Sequence, residues 1–177
     1  MSSQTEHVLN DLLDWLQQQQ PEHATETETS FDISTYVQRL AKDQQALDQG
    51  LVTVLDDQEL IDVFLDEADD LLAQVDHSFN VYQQEPEHIK ALNHLMRYLH
   101  TLKGGANMIQ AKNIGLIAHD LETIFERLIN RQLQTSPKLV AVLRLVLDAI
   151  ADRIDLVRQS RIDYSAVATV QVLHELL

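Results

Sequence analysis

Cysteine is absent from the 177-residue chain. That excludes disulfides, thiol nucleophiles and Cys-ligated zinc or iron–sulfur sites, and it fits a reducing compartment, so the expected location is cytoplasmic. Glycine and proline are scarce, at 4 and 3 residues. With so few backbone breakers, and with Leu, Ala, Gln, Asp and Glu abundant, the expected fold class is all-α with short connections. Cations are few as well: 13 Lys and Arg stand against 28 Asp and Glu, a formal net charge of −15. This argues against a nucleic-acid partner, because phosphate backbones are held by clustered Lys and Arg. No apolar run reaches the roughly 18 residues that a bilayer crossing needs. The greasiest stretch, Leu139 to Ile154, is broken by Arg144, Asp148, Asp152 and Arg153. The acidic start, Met1 to Asp14, has neither the cationic nor the apolar block of an export signal, so no membrane association is expected.

What is present is helical periodicity. Val8, Leu9, Leu12, Leu13 and Leu16, with Trp15 beside them, make residues 1–20 an N-terminal amphipathic helix. From 21 to 31 Glu and Thr alternate, a composition that reads as a flexible linker. An accessory helix over 32–50 uses Ile33, Tyr36, Val37, Leu40 and Leu47 as its inner stripe and stops at Gly50, suited to a helix C′ position. The main unit, 56–160, contains four amphipathic segments. The first opens with a D-x-x-E capping box at Asp56 to Glu59, the second at Pro86, the third near Ala111, and the fourth on Ser136-Pro137. Joined by short loops, they are expected to form an antiparallel up-down bundle. Asp163 to Ser165 reads as a turn, and 163–177 supplies a last short helix through Val167, Val170, Leu173 and Leu177.

Of 8 histidines, one has distinctive surroundings: His100-Thr101-Leu102-Lys103-Gly104-Gly105-Ala106. Two glycines in a helical stretch cost roughly 1 kcal/mol each relative to alanine, so they call for a reason such as close approach of a partner. At roughly 100° per residue, His100 lies about 85° from the middle of the stripe of Leu92, Met96, Leu99 and Ala106, at the core's edge or outside it. Arg97, Lys103, Gly104 and Asn107 share its face, and two cations flanking an imidazole suit an anion. A neutral imidazole attacks through one nitrogen only when the other carries the proton, and a carboxylate accepting that N–H fixes the tautomer. The following helix offers Glu122, with His119 one turn before it. Glu122 is expected to hold the Nδ1 proton while Nε2 attacks a phosphoryl group and Lys103 offsets the added charge.

At these residues the chain resembles a histidine-containing phosphotransfer domain, in particular the N-terminal phosphoacceptor domain of CheA-type chemosensory histidine kinases. The likeness is carried by Asp57-Gln58-Glu59-Leu60 with Phe64 and Glu67-Ala68, by the His100–Ala106 block, and by His119 with Glu122. It implies that His100 is the phosphoacceptor, that Lys103 and Glu122 support it with His119 nearby, and that Gly104 and Gly105 keep the site open, Asn107 and Arg97 lying on the docking face. Gln110 departs from the pattern, since such domains usually carry glycine there. The extended N-terminal region and long fourth helix look more like the large kinases that control type IV pili and twitching motility. No G-x-G-x-x-G or Walker-type loop occurs, so no cofactor is expected on this chain. By the resemblance, ATP and Mg²⁺ belong to its partners, a histidine kinase catalytic domain and CheY-like receiver domains. The chain is then a relay rather than an enzyme in its own right, and the N-terminal part of a larger kinase. The competing reading is a helical-bundle adaptor that carries no phosphoryl group. A carboxylate-bridged metal bundle is disfavoured, because only Glu85 to His88 has the Glu-x-x-His form.

Overall fold

A computed structural model describes residues 3–18 and 31–177. The chain is all-α apart from one small sheet. Its elements in order are α1 (Ser3–Gln18), α2 (Ile33–Asp48), β1 (Val52–Val54), α3 (Gln58–Gln84), α4 (Ile89–Met108), α5 (Lys112–Ile129), α6 (Pro137–Ser160), β2 (Ile162–Tyr164) and α7 (Val167–Leu176). The linker expected at 21–31 lies, except for Phe31, outside the described residues.

Helices α3 to α6 close an antiparallel ring in which each packs on the next and α6 returns to α3. The apolar stripes read from periodicity meet at its centre, where Phe79, Leu95, Leu99, Leu102, Ile117, Leu121, Phe125 and Leu143 are fully buried. Each large aliphatic or aromatic side chain sealed there contributes about 1.5–3 kcal/mol. Tyr82 is edge-on to both Phe79 and Phe125, and its hydroxyl is 2.6 Å from Thr135 Oγ1.

The helix ends explain their placement. Ser136 Oγ accepts from Leu139 N and Pro137 fills the first turn of α6, as the cap-plus-proline pattern requires. Two other starts differ from the sequence expectation. The cap of α3 is Asp57, one residue later than the box at Asp56, because its Oδ1 is the oxygen that reaches Leu60 N. Helix α4 begins at Ile89 rather than Pro86: Glu85 to His88 forms a turn, and His88 Nδ1 accepts from Ala91 N as the cap.

The segment expected as a turn at Asp163 to Ser165 is instead largely β2, paired antiparallel to β1 with Val52 opposite Tyr164, Thr53 opposite Asp163 and Val54 opposite Ile162. Around this sheet α2 and α7 pack on each other. A buried pair joins them to the bundle. Arg153, 2% exposed, donates to Asp43 Oδ2 (3.2 Å) and to the carbonyls of Tyr164 (2.6 Å) and Ser165 (3.1 Å). Asp43 in turn accepts from Ala168 N, Thr169 N and Thr169 Oγ1 at the start of α7. Every donor and acceptor of the pair that is out of water is thus satisfied, which a buried ion pair needs. Val167 is 72% exposed; Thr169, Val172 and Leu173 make the buried face of α7. Helix α1 rests on the outside, with Leu12 packed among Ile33, Val37, Ala141 and Leu145. None of the described helices is long and apolar enough to cross a membrane.

Candidate functional site

The site is built on the hairpin of α4 and α5. A three-residue link, Ile109 to Ala111, joins them through two bonds that cap the end of α4: Ala111 N donates to Ala106 O (2.8 Å) and Gln110 N to Asn107 O (3.0 Å). This arrangement needs a left-handed residue between the two donors. Gln110 supplies it at φ 64°.

The short link sets α5 antiparallel beside α4 and brings His100, Lys103 and Glu122 together. His100 Nδ1 is 2.7 Å from Glu122 Oε1, and Lys103 Nζ donates to Glu122 Oε2 at 2.7 Å. The imidazole is 65% exposed, whereas the Glu122 side chain is only 20% exposed. Its Nε2 has no hydrogen-bond partner among the described residues. Burial alone would raise the Glu122 carboxyl, but the hydrogen bonds and charges of Lys103 and His100 outweigh it and hold the group below its ordinary value. An ionised carboxylate against Nδ1 favours the tautomer whose Nε2 lone pair faces solvent. The arrangement can therefore present a nucleophilic nitrogen with a cation one helical turn away.

The other residues singled out by sequence fall in different surroundings. A side chain at Gly104 would meet nothing within 4 Å, so this glycine leaves open surface beside the imidazole. Gly105, expected to share that role, instead faces α3: an added Cβ would lie 3.0 Å from Phe64 Cδ2. It is a close-packing glycine of the bundle. Asn107 is turned toward α5, its amide lying where a side chain at Gly115 would be. Arg97 is exposed, with its guanidinium 5.7 Å from the centre of the Tyr98 ring. His119 is exposed on α5 and its ring makes no hydrogen bond among the described residues. Sequence reasoning missed a groove of about 680 Å³ running from His100 and Glu122 toward the start of α4, lined by Ile89, Lys90, Met96 and Arg97 among others. Lys90 and Met96 fall within about 80° of His100 on a helical wheel, the signal that would have found it. It missed Gly115 too, which no periodicity marks. Among the described residues no three His, Asp or Glu side chains gather where a metal ion could be held.

Residues 59–153 match the family model described as Hpt domain. Relatives include the sensor histidine kinase CheAY of Helicobacter pylori, 24% identical over 106 residues that cover 60% of this chain and 13% of the relative. Chemotaxis protein CheA of Treponema pallidum is 27% identical over 93 residues, covering 52% and 12%. Chemotaxis protein CheA of Borreliella burgdorferi is 24% identical over 102 residues, covering 58% and 12%. The matches thus span only 12–13% of these relatives' own length. The family model extends over more than half of the chain and reaches from α3 into α6. By that measure the chain belongs to the Hpt domain family.

Proposed function

We propose that the chain is a histidine phosphotransfer module of a chemosensory two-component system, with His100 as its phosphoacceptor. The observation that carries this reading is the exposed imidazole whose Nδ1 lies 2.7 Å from a Glu122 carboxylate already paired with Lys103. In the forward step the Nε2 lone pair bonds to the γ-phosphorus of ATP held by a kinase catalytic domain, in the same polypeptide or another, and the bond to the β-phosphate oxygen breaks to release ADP. The Nδ1 proton stays with the ring, donated to Glu122. In the relay step an aspartate oxygen of a CheY-like receiver attacks the same phosphorus, the N–P bond breaks, and Nε2 regains its lone pair.

Mg²⁺ accompanies ATP on the kinase and the aspartates on the receiver. Lys103 offsets the charge that the phosphoryl group adds. The chain is acceptor and relay, and the transfer depends mainly on positioning and charge neutralisation that the partners complete. Chemosensory context is supported by the names of the relatives. A role in type IV pilus control rests only on the extended N-terminal region and the 24-residue fourth helix.

The test is labelling of the purified chain with [γ-³²P]ATP and candidate kinase domains. The parent is expected to take up acid-labile, base-stable label; His100→Gln is expected to lose it while keeping its helical circular dichroism. Full labelling of that variant would remove His100 from the mechanism.

A further inference from the structure

We infer that Asp163, which lies beyond the stretch matched to the family, is a positioning residue for the site: it caps the helix that carries Glu122 and so sets where that carboxylate meets His100. The inference deepens the proposed phosphoacceptor reading and rests on it for its kinetic readout.

A helix start leaves several N–H groups without partners. Helix α5 begins after Ala111, whose side chain has no oxygen to offer. The acceptor comes from 50 residues further on. Asp163 Oδ2 accepts from Asn113 N (3.0 Å) and Asn113 Nδ2 (2.9 Å), and Oδ1 accepts from Ile114 N (3.3 Å). Asn113 returns the contact, its Oδ1 accepting from Ala166 N at 3.1 Å. Asp163 is 1% exposed and has no cationic side chain in bonding range among the described residues. Its countercharge is the positive end of α5.

The carboxylate is aimed from a fixed platform. Thr53 pairs with Asp163 across the sheet, Leu55 N donates to Arg161 O (2.8 Å), and Ser165 N donates to Leu51 O (3.2 Å). Arg153 holds the next two carbonyls, those of Tyr164 and Ser165. Against this platform the first turn of α5 is held on one side by Asp163 and on the other by α4, where Asn107 fills the space that Gly115 leaves.

Glu122 lies nine residues beyond Asn113 on the same rigid helix. A side-chain end about 5 Å from the axis moves roughly 2 Å when the helix turns by about 20°. A hydrogen bond to His100 does not survive such a shift, since its useful range is only about 0.5 Å wide. The orientation of α5 at its first turn therefore reaches the imidazole through Glu122.

The experiment compares the full chain with Asp163→Ala and with Asp163→Ala combined with Ala111→Ser, which offers α5 a local cap oxygen. Three readouts are taken: ¹⁵N chemical shifts of the His100 ring, the phosphorylation rate at saturating module, and the KM for the module. Asp163→Ala is expected to reduce the Nδ1–H tautomer signature of His100 and to slow phosphorylation about tenfold with KM unchanged. Ala111→Ser is expected to recover much of both. A folded Asp163→Ala with a lowered Tm but with the parent's ring shifts and rate would overturn the inference and leave Asp163 a purely structural residue. If Asp163→Ala does not fold, Asp163→Asn, which keeps the shape but leaves one acceptor oxygen for the three donors of Asn113 and Ile114, is read by the same outcomes. If the parent takes no label on His100, the phosphoacceptor reading fails, and the ring shifts alone still decide whether Asp163 positions Glu122.

Discussion

Replacing Glu122 tests the central geometry most directly, and the structure allows its effect to be graded. The carboxylate accepts one bond from His100 Nδ1 and one from Lys103 Nζ, each at 2.7 Å. Glu122→Gln keeps the shape but leaves one acceptor oxygen for two donors and removes the charge. A hydrogen bond to a charged group contributes about 1.5–3 kcal/mol against about 0.5–1.5 kcal/mol for a neutral one. The difference, about 1–1.5 kcal/mol, corresponds to roughly tenfold in rate. Glu122→Ala removes both contacts and control of the tautomer, and is expected to slow phosphorylation about 10²-fold. The assay is initial-rate labelling by a cognate kinase domain, with circular dichroism to verify folding. Equal rates in parent, Gln and Ala forms would refute the claim that this carboxylate orients the imidazole. The pH dependence has a definite sign. Because the folded Glu122 carboxyl is held below its ordinary value, its contribution to stability is complete above the unfolded value and is lost as pH falls through the folded one. The Tm difference between parent and Glu122→Gln should therefore shrink as pH falls below about 4.5.

Further expectations concern the surroundings. Gly104→Ala should stabilise by up to about 1 kcal/mol through helix propensity, since its Cβ meets nothing, whereas the Cβ of Gly105→Ala presses on Phe64; the melts of the two should differ by about 1–3 kcal/mol, and equal gains would contradict the packing role of Gly105. Asp148 is partly buried, and desolvation, opposed by Arg144 and reinforced by Asp152 and Asp76, pushes its carboxyl up to about 6. A raised carboxyl is a liability while ionised, so Asp148→Asn should raise stability by about 1–3 kcal/mol at pH 7.5 and by progressively less as pH falls from 6 toward 4, measured by denaturation at each pH. Gln110→Gly relieves a left-handed backbone at φ 64° and should stabilise by about 0.5–1 kcal/mol without changing the labelling rate. A destabilised glycine variant would mean that the Gln110 side chain is itself needed.

The parts of the molecule legible in sequence were those carried by repetition. Four apolar stripes at helical spacing imply four helices and short links between them, and in the structure Leu95, Leu99, Leu102, Ile117 and Leu121 are all fully buried. The same periodicity sets His100 off its stripe, and the structure has that ring 65% exposed and bonded across to Glu122. What could not be read was contact between distant segments. Strands of three residues carry too little alternation to register, so Val52–Val54 and Ile162–Tyr164 were invisible. The capping of α5 by Asp163 joins positions that share no local pattern. Gly105 and Gly104 are neighbours with identical chemistry, and only the Phe64 ring, 41 positions earlier, separates their roles. His88 was hidden as a cap because Pro86 gave the more familiar signal two residues before it.

The clasp of Asp43 on the first turn of α7 has a consequence for the order of folding. It joins residues 125 and 126 positions apart, whereas the α4–α5 hairpin closes through a link of three residues. Chain entropy taxes the longer loop more heavily, and none of that cost is recovered until everything in between has collapsed. The hairpin that bears the imidazole should therefore be assembled early, and the α2–α7 clasp should arrive last and open first. Native-state hydrogen exchange would register this as α7 amides exchanging through partial openings while those of α4 and α5 wait for global unfolding.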